Sequence, residues 1–421
     1  MDSRLAMTKE KIPEWMGQLG PREVVSSVGL NILTSQFAAN KSYRNMADLM
    51  NESLYRNAEE DRFKSRTLCS QVEKIGKDMK AGLEKQSRGI LHSHGVEEGK
   101  VEPTGEAEKR EPEGMEWRYT EDEIRRIAEE YNGKHDCDDE KISEAAIQSA
   151  YEKAGYATYI CPDDIGVHKQ KEHRKSRNQT AESEKGKTPR QYVENTVVSV
   201  HTQGAENEAS RTRYFAGVGM RMVFLWTLAY LLVSGALREK KLIIFSDGAA
   251  NIRSKVKEVF GFRPYEIRLD WFHLCKKLGQ LLSMGIRGTE KRNEVLNKLT
   301  RILWAGNVDS ALEYIANIES KNIKSKSAID KITAYLTKHK SEIPCYAIRK
   351  RLGLRNSSQS AESANYILVA NRQKTGGMSW SETGSEALTI IQAMNENGET
   401  EKWFRSRSFS MFHNPLLDKV A

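Results

Sequence analysis

Several acidic residues and one histidine stand where side chains do chemistry rather than solvate a surface. Asp247 closes the apolar run Lys241-Leu-Ile-Ile-Phe-Ser246 and is followed by Gly248-Ala249-Ala250. Asp163 and Asp164 follow the β-rich run Tyr156–Cys161 in the same way. Glu362 is the one acid between Ile343 and Ser381, a segment that carries Arg349, Lys350, Arg351, Arg355, Arg372 and Lys374. Asp270 ends a further strand-like run, and His273 lies three residues beyond it. A carboxylate at the end of an apolar strand emerges at the edge of an open α/β sheet where ligands gather. Three carboxylates without a His or Cys cluster suit a hard cation, Mg²⁺ or Mn²⁺ rather than zinc. Two such ions about 3.5–4 Å apart activate a water or hydroxyl and stabilise the leaving oxygen of a phosphodiester. In basic surroundings that constellation means phosphoryl transfer on nucleic acid. Each residue also has an ordinary use. A strand-end Asp forms turns or caps helices, Glu362 fits an ion pair with a neighbouring arginine, and Asp270 with His273 fits a structural pair at a strand–helix junction. Two aspartates on apolar strands of one sheet shift the balance toward a site. His173 and His201 show no ligand spacing.

The elements that must position these residues are legible from periodicity. Residues 156–273 read as β-β-β-α-β-α-β. Tyr192–His201 alternates as a strand, with Val193, Asn195, Val197 and Ser199 on one face. Residues 213–218 suggest a third strand and Met220–Leu237 a helix. The run 241–247 is apolar throughout, as the centre of a parallel sheet requires. Leu274–Lys340 has amphipathic helical spacing, and a last helix spans roughly Ser358–Val369. Before the sheet, residues 21–92 read as helical. Tyr43, Met46, Ala47 and Met50 share one helical face, and a helix running through Leu68, Val72, Ile75 and Met79 starts near Ser65. Two short helices separated by a turn fit a helix-turn-helix, with Arg66, Gln71 and Lys74 toward a DNA groove; a plain bundle with solvated charges is the alternative. Residues 93–116 read as an acidic, solvated linker, followed by helices near 120–131, where Thr120 and Glu123 form a capping-box pattern, and near 143–154.

Composition bounds the class. The chain has 421 residues, enough for two or three domains, with 38% hydrophobic and 29% charged residues. Its net charge is +8, and the excess is local: residues 168–190 hold eight bases and three acids, whereas 93–123 hold eleven acids and four bases. A basic balance points weakly to nucleic acid. The five cysteines are odd in number and never form a CxxC pair, which argues for a reducing compartment and against a zinc ribbon. Residues 1–11 are charged throughout, so no signal peptide is expected. The apolar run Met222–Leu237 is shorter than the roughly 20 residues that span a bilayer.

Several strings resemble the DDE transposases of bacterial insertion sequences, of the Mutator-related kind. Phe245-Ser-Asp247-Gly-Ala249 is similar to their second-Asp strand, and Leu269-Asp270-Trp-Phe-His273-Leu274 to their D-x-x-H motif. Ala361-Glu362-Ser-Ala-Asn365 and Val369–Lys374 resemble their last catalytic helix and its basic flank. The resemblance covers residues 156–405 well and 20–90 loosely. It implies an α/β, ribonuclease-H-like mixed sheet flanked by helices, with an all-helical insertion and an N-terminal helical domain. The implied layout is an N-terminal DNA-binding region at 1–92, linker and short helices at 93–155, and the first part of the core at 156–273. The insertion then covers 274–341, the last catalytic helix and its flank 342–405, and a tail 406–421. It implies Asp163, Asp247 and Glu362 as metal ligands for two Mg²⁺ or Mn²⁺ ions. Asp164 is the alternative first ligand, because adjacent strand residues point to opposite faces and only one can face the ions. Asp270 and His273 become auxiliary, and Trp304 a DNA contact within the insertion or a core residue. Arg349, Lys350, Arg351, Arg355, Arg372 and Lys374 would hold the DNA backbone. The implied activity is metal-dependent 3′-end cleavage and strand transfer on double-stranded DNA, by a homodimer or larger assembly in a bacterial cytoplasm, associated with the nucleoid. The alternatives are an inactive DNA-binding remnant and a nuclease on the same fold.

Overall fold

A computed structural model describes residues 27–55, 63–97, 99–112, 119–150, 157–170, 191–203, 210–357 and 359–413. The basic stretch 171–190 and His173 lie outside the described residues, as do residues 1–26.

Among the described residues five strands form one mixed sheet: β1 (Ala157–His168), β2 (Tyr192–Thr202), β3 (Arg211–Val218), β4 (Lys241–Ser246) and β5 (Glu266–Leu269). Their order is β3-β2-β1-β4-β5. β2 runs antiparallel to β1 and β3, while β1, β4 and β5 are parallel. Leu242 to Ser246 are all buried, which is why β4 reads as an unbroken apolar run. The first strand differs from expectation. It does not end at Cys161 but runs through Pro162, Asp163 and Asp164 to His168. Its pairing with β4 stops at Ile160↔Ile244, while its pairing with β2 continues to His168↔Tyr192. Beyond Ile160 the strand thus has β2 alone as a partner, and a strand paired on one side tolerates a proline whose missing N–H faces the open side.

Helices cover the sheet. The long apolar run becomes α7 (Met220–Val233) and, after Gly235 at φ +73°, α8 (Ala236–Glu239). α7 is buried nearly all round: Val223, Phe224, Trp226, Leu228 and Leu231 are fully enclosed. Among the described residues no helix is long and apolar enough to cross a membrane. α9 (Ala250–Phe260) packs beside α7.

The N-terminal helices belong to the same core. Those helices are α1 (Val28–Asn40), α2 (Tyr43–Tyr55) and α3 (Ser65–Ser93). α3 has 29 residues, far longer than a helix-turn-helix element, and buries Leu68, Val72, Ile75, Met79 and Leu83 at helical spacing. It packs against α7 and against α17 (Glu382–Glu396). Gly76 permits the contact: a Cβ there would stand 2.4 Å from the Cα of Ala387. Met46, Val72, Val197, Trp226 and Ile390 form one continuous cluster, so these helices are built into the sheet's packing.

The expected solvated linker is partly packed. α4 (Glu106–Lys109) places Glu108 at 1% exposure, paired with Arg238 at 2.6 Å. α5 (Glu121–Asn132) carries the expected capping box from Thr120 and Glu123, and α6 (Glu144–Ser149) follows. The helical stretch after β5 folds as α10 (Trp271–Gly285), α11 (Thr289–Trp304), α12 (Val308–Ala316) and α13 (Lys326–Lys338). These helices enclose their own core around Leu278, Leu282, Leu299, Ile302 and Leu336. α5 and α6 brace that insertion from outside, packing Ile124, Ala128 and Ile147 on α14 (Tyr346–Arg351).

The chain then returns to the sheet through α15 (Gln359–Asn365), a π-helical turn at Tyr366–Ala370 and the short α16 (Asn371–Gln373). A buried polar network pins this return. Gln373 donates to Thr389 at 2.9 Å and accepts from Ser385 at 2.6 Å; Asn195 donates to Ser385 at 2.9 Å and accepts from Thr389 at 3.1 Å. These side chains satisfy one another, so the network orients α16, α17 and β2 without leaving them unpaired. α18 (Thr400–Ser406) follows, and residues 407–413 are no loose tail: Phe409 is fully buried and stacks on Trp403 at 4.6 Å.

Candidate carboxylate site

The register of the parallel strands aligns three aspartates. Ile160 pairs with Ile244, so three residues further along both chains Asp163 comes level with Asp247. Ser246 pairs with Leu269, so one residue further Asp247 comes level with Asp270. The three carboxylates stand on neighbouring strands where those strands open toward their carboxyl ends, the usual place for a ligand site in such a sheet.

Each is held differently. Asp163 accepts a 2.6 Å bond from Asn365 Nδ2, and its Oδ1 accepts from the backbone N–H of Asp164. Burial, with the nearby charge of Asp247, pushes its carboxyl up to about 6. Asp164 accepts from Thr196 at 2.7 Å and from Asn251 at 3.0 Å, so its oxygens tie β2 to the start of α9. The two adjacent aspartates therefore have separate partners, and it is Asp163 that meets the helix carrying Glu362. Asp247 accepts from the N–H of Ala249 at 2.8 Å across the turn. Gly248 makes that turn with φ +91°, a conformation side chains rarely adopt.

Asp270 is 1% exposed and caps α10, accepting from the His273 N–H at 2.7 Å and from His273 Nδ1 at 3.0 Å. It is a structural cap that also orients the imidazole. The hydrogen bond to Asp270, together with the charges of Asp163 and Asp247, raises the His273 pKa above its usual value. The other ring nitrogen, Nε2, lies 3.9 Å from Glu362 Oε1. Glu362, 41% exposed at its side chain, sits in the first turn of α15 and reaches the site from the far end of the sequence. His273 thus links the β5 end to α15, with the charges of the β1 and β4-turn carboxylates nearby.

Donor chemistry fits a hard cation. Asp163, Asp247 and Glu362 offer oxygens, and among the described residues the buried Asn365 Oδ1 beside Asp163 lacks a hydrogen-bond partner. Among the described residues the group whose donor atoms all lie within 4.8 Å of one another is a different one, Cys137, Asp139 and Glu140. Lys298 holds Asp139 and Glu140 at 2.8 Å each and Arg301 holds Glu140 at 3.0 Å, so those charges are already neutralised by the insertion.

The basic residues divide. Arg349 is 1% exposed and donates to the Arg355 carbonyl. Arg372, 7% exposed, lies between the rings of Tyr43 and Trp380 and donates to the Ala38 carbonyl. Both fasten the fold rather than face a phosphate backbone. Gln71 donates to Asn31 at 2.9 Å, so it joins α3 to α1 instead of pointing to a groove. Arg66, Lys74, Lys350, Arg351 and Lys374 are exposed, and Arg351 pairs with Glu130. Arg355 is half-buried, with its charge near His201 and Tyr214. Trp304 packs against Trp271 at 4.7 Å and Tyr346 at 5.9 Å between ring centroids, in the core of the insertion, with Lys350 over its ring.

Three residues near the site were given no role from the sequence. Asn365 lies one helical turn past Glu362, and that i, i+3 spacing on one face was the available hint. Tyr335 and His339 of the insertion approach the Gly248 turn: a Cβ on Gly248 would stand 3.4 Å from the Tyr335 hydroxyl and 3.6 Å from His339 Nε2. His339 is 1% exposed and contacts Glu342 and Arg253, an ion pair that locks the end of the insertion to α9.

Fold and site together define a mixed α/β protein with a carboxylate–histidine cluster at the carboxyl ends of three parallel strands. The chain belongs to the uncharacterised protein family UPF0236, which matches residues 113–407. It is 27% identical over 190 residues to a UPF0236 protein in the vanSb 3′ region of Streptococcus gallolyticus, a match that covers 43% of this chain. The chain spans 40% of that relative's length. No solved structure matches it.

Proposed function

We propose that the chain is a DNA transposase of an insertion sequence, with a ribonuclease-H-like core that cuts 3′ ends and joins them to target DNA. The observation that carries this reading is the convergence on His273 of carboxylates from four separate elements. Its Nε2 is 3.9 Å from Glu362, its Nδ1 is bonded to Asp270, and the strand register sets Asp163 and Asp247 level with Asp270. A ribonuclease-H-like site requires an acid on the central strand, one at the end of the adjacent parallel strand and one on a late helix; β1, β4 and α15 supply that set. The helical insertion between Asp247 and Glu362, with its own core, favours a transposase over a simple nuclease of the same fold.

Asp163, Asp247 and Glu362 would hold Mg²⁺ or Mn²⁺. When bound, such ions activate a water or a 3′ hydroxyl and neutralise the leaving oxygen. His273, held by Asp270 through Nδ1, turns Nε2 to the same space and, when protonated, would offer an N–H donor to a non-bridging phosphate oxygen. Exposed Arg66, Lys74, Lys350, Arg351 and Lys374 suit the DNA backbone. The reading includes double-stranded DNA as partner, a homodimer on that DNA, and a bacterial cytoplasm.

The test is nicking of supercoiled plasmid by the purified chain with Mn²⁺. The wild type should nick, and Asp247→Ala or Glu362→Ala should not, while all three bind DNA alike in filter binding. Mutants that nick at the wild-type rate would remove the triad. A wild type that binds DNA but never nicks would replace the enzyme with a DNA-binding remnant.

A further inference from the structure

The helical insertion contributes a polar atom to the carboxylate site that the triad does not explain. Tyr335, on the last turn of α13, has a buried hydroxyl with no hydrogen-bond partner among the described residues. Leaving a buried hydroxyl unpaired is costly, so it calls for an acceptor from outside the chain, a water or a ligand oxygen. The hydroxyl is aimed at the turn that follows Asp247: a Cβ on Gly248 would meet it at 3.4 Å. A methyl group there would rest in ordinary contact with the hydroxyl, so a small space lies between Gly248 and Tyr335. The surroundings are anionic. Burial, with the charges of Asp247, Glu342 and Asp270 outweighing that of Arg253, pushes the phenol up to about 12. Tyr335 is therefore a neutral donor near physiological pH. Its ring packs on His339 at 4.6 Å, and His339 is anchored by Arg253 and Glu342. The position is rigid, set by the insertion docking on α9.

A neutral O–H beside carboxylates, buried and unpaired, lacks an acceptor. The acceptor that a cation-loaded carboxylate cluster brings is an oxygen of the phosphodiester. We propose that Tyr335 is the donor by which the helical insertion grips a non-bridging phosphate oxygen of DNA at the Asp247 turn. This rests on the phosphodiester reading above and assigns the insertion a direct part in substrate binding.

Tyr335→Phe removes the hydroxyl alone, and because that group is unpaired the melting temperature should not fall. Three quantities separate the outcomes: melting temperature, Mn²⁺ affinity of the protein alone by electron paramagnetic resonance, and affinity for a short fluorescent DNA duplex with Mn²⁺ or with EDTA. The expected result is an Mn²⁺ affinity within about twofold of wild type, unchanged duplex affinity in EDTA, and roughly tenfold weaker duplex binding in Mn²⁺, the size of one hydrogen bond to a charged acceptor. Equal duplex binding by wild type and variant in Mn²⁺ overturns the proposal. Weaker Mn²⁺ binding by the variant also overturns it, since the hydroxyl would then serve the ion's own water. A melting temperature lowered by several degrees overturns it in favour of a structural role. Asp247→Ala is the control for the underlying reading: if that variant keeps wild-type Mn²⁺ affinity, the cation site itself is absent, whatever Tyr335→Phe does.

Discussion

His273 is held by Asp270 through two bonds, 2.7 Å to its backbone N–H and 3.0 Å to its ring Nδ1. The same carboxylate that starts α10 fixes which face of the imidazole turns to Glu362. A helix cap and a site orienter are one residue here, so a substitution at Asp270 should be felt in both stability and charge state. Asp270→Asn keeps an acceptor for the cap and should cost little stability. Asp270→Ala should cost about 1–2 kcal/mol. Both should lower the His273 pKa toward its ordinary value, readable by NMR titration of the imidazole. A His273 that titrates as in wild type after either change would separate the ring from Asp270.

The Asp163 carboxyl, raised to about 6 by burial and by Asp247, makes a pH prediction with a definite sign. Its folded-state value lies above the unfolded one of about 3.9. The protonated form is therefore favoured by folding, and that contribution is lost as pH rises through about 6. Asp163→Asn should be spared this loss. The melting temperature of the variant relative to wild type should rise between about pH 4 and pH 7 in EDTA. Added Mn²⁺ should shrink the difference by stabilising the ionised wild type. A pH-independent difference would mean that Asp163 is not buried with Asp247.

Arg349 and Arg372 are expected to act on stability and not on DNA. Arg372→Ala removes a guanidinium held between Tyr43 and Trp380 and should cost about 2–4 kcal/mol, through lost packing and an unpaired carbonyl. Lys374→Ala should leave stability unchanged and Lys350→Ala, which loses its contact with the Trp304 ring, should cost at most about 1 kcal/mol; each should lower the salt dependence of DNA binding by about one phosphate contact. Urea denaturation and binding at several salt concentrations distinguish the two groups.

Gly76 meets Ala387 at the crossing of α3 and α17. Gly76→Val should therefore separate those helices, at a cost of about 3 kcal/mol or more from overpacking. Deleting residues 1–92 should yield an insoluble chain, because α3 is part of the sheet's core. A soluble, cooperatively melting 93–421 fragment would show that the N-terminal helices are dispensable to it.

The strands and their carboxylates were legible because burial on both faces writes an apolar run and a strand end writes an Asp-Gly turn. β4, α7 and the insertion follow directly from such runs. The convergence of Asp163, Asp247, Asp270 and Glu362 was expected from spacing and resemblance, but register was invisible: which of Asp163 and Asp164 meets α15 depends on the phase of β1 against β2. The role of α3 was hidden for another reason. Its apolar stripe at Leu68, Val72, Ile75 and Met79 is equally compatible with a small independent bundle, and only the fit of Gly76 to Ala387, far away in sequence, decides. The buried arginines misled for a related cause. A guanidinium stacked on Tyr43 and Trp380 has the same sequence as one facing solvent, since its partners come from α2 and from the segment before α17.

The pairing of α3 with α17 also bears on how the chain is made. Lys80 meets Glu386 at 2.6 Å across 306 residues. At about 5–20 residues per second on the ribosome, the side of α3 that meets α17 waits roughly 15–60 seconds for its partner. During that interval the growing chain carries an uncovered apolar face of the kind chaperones bind. Translation that stops short of α17 leaves that side of α3 uncovered.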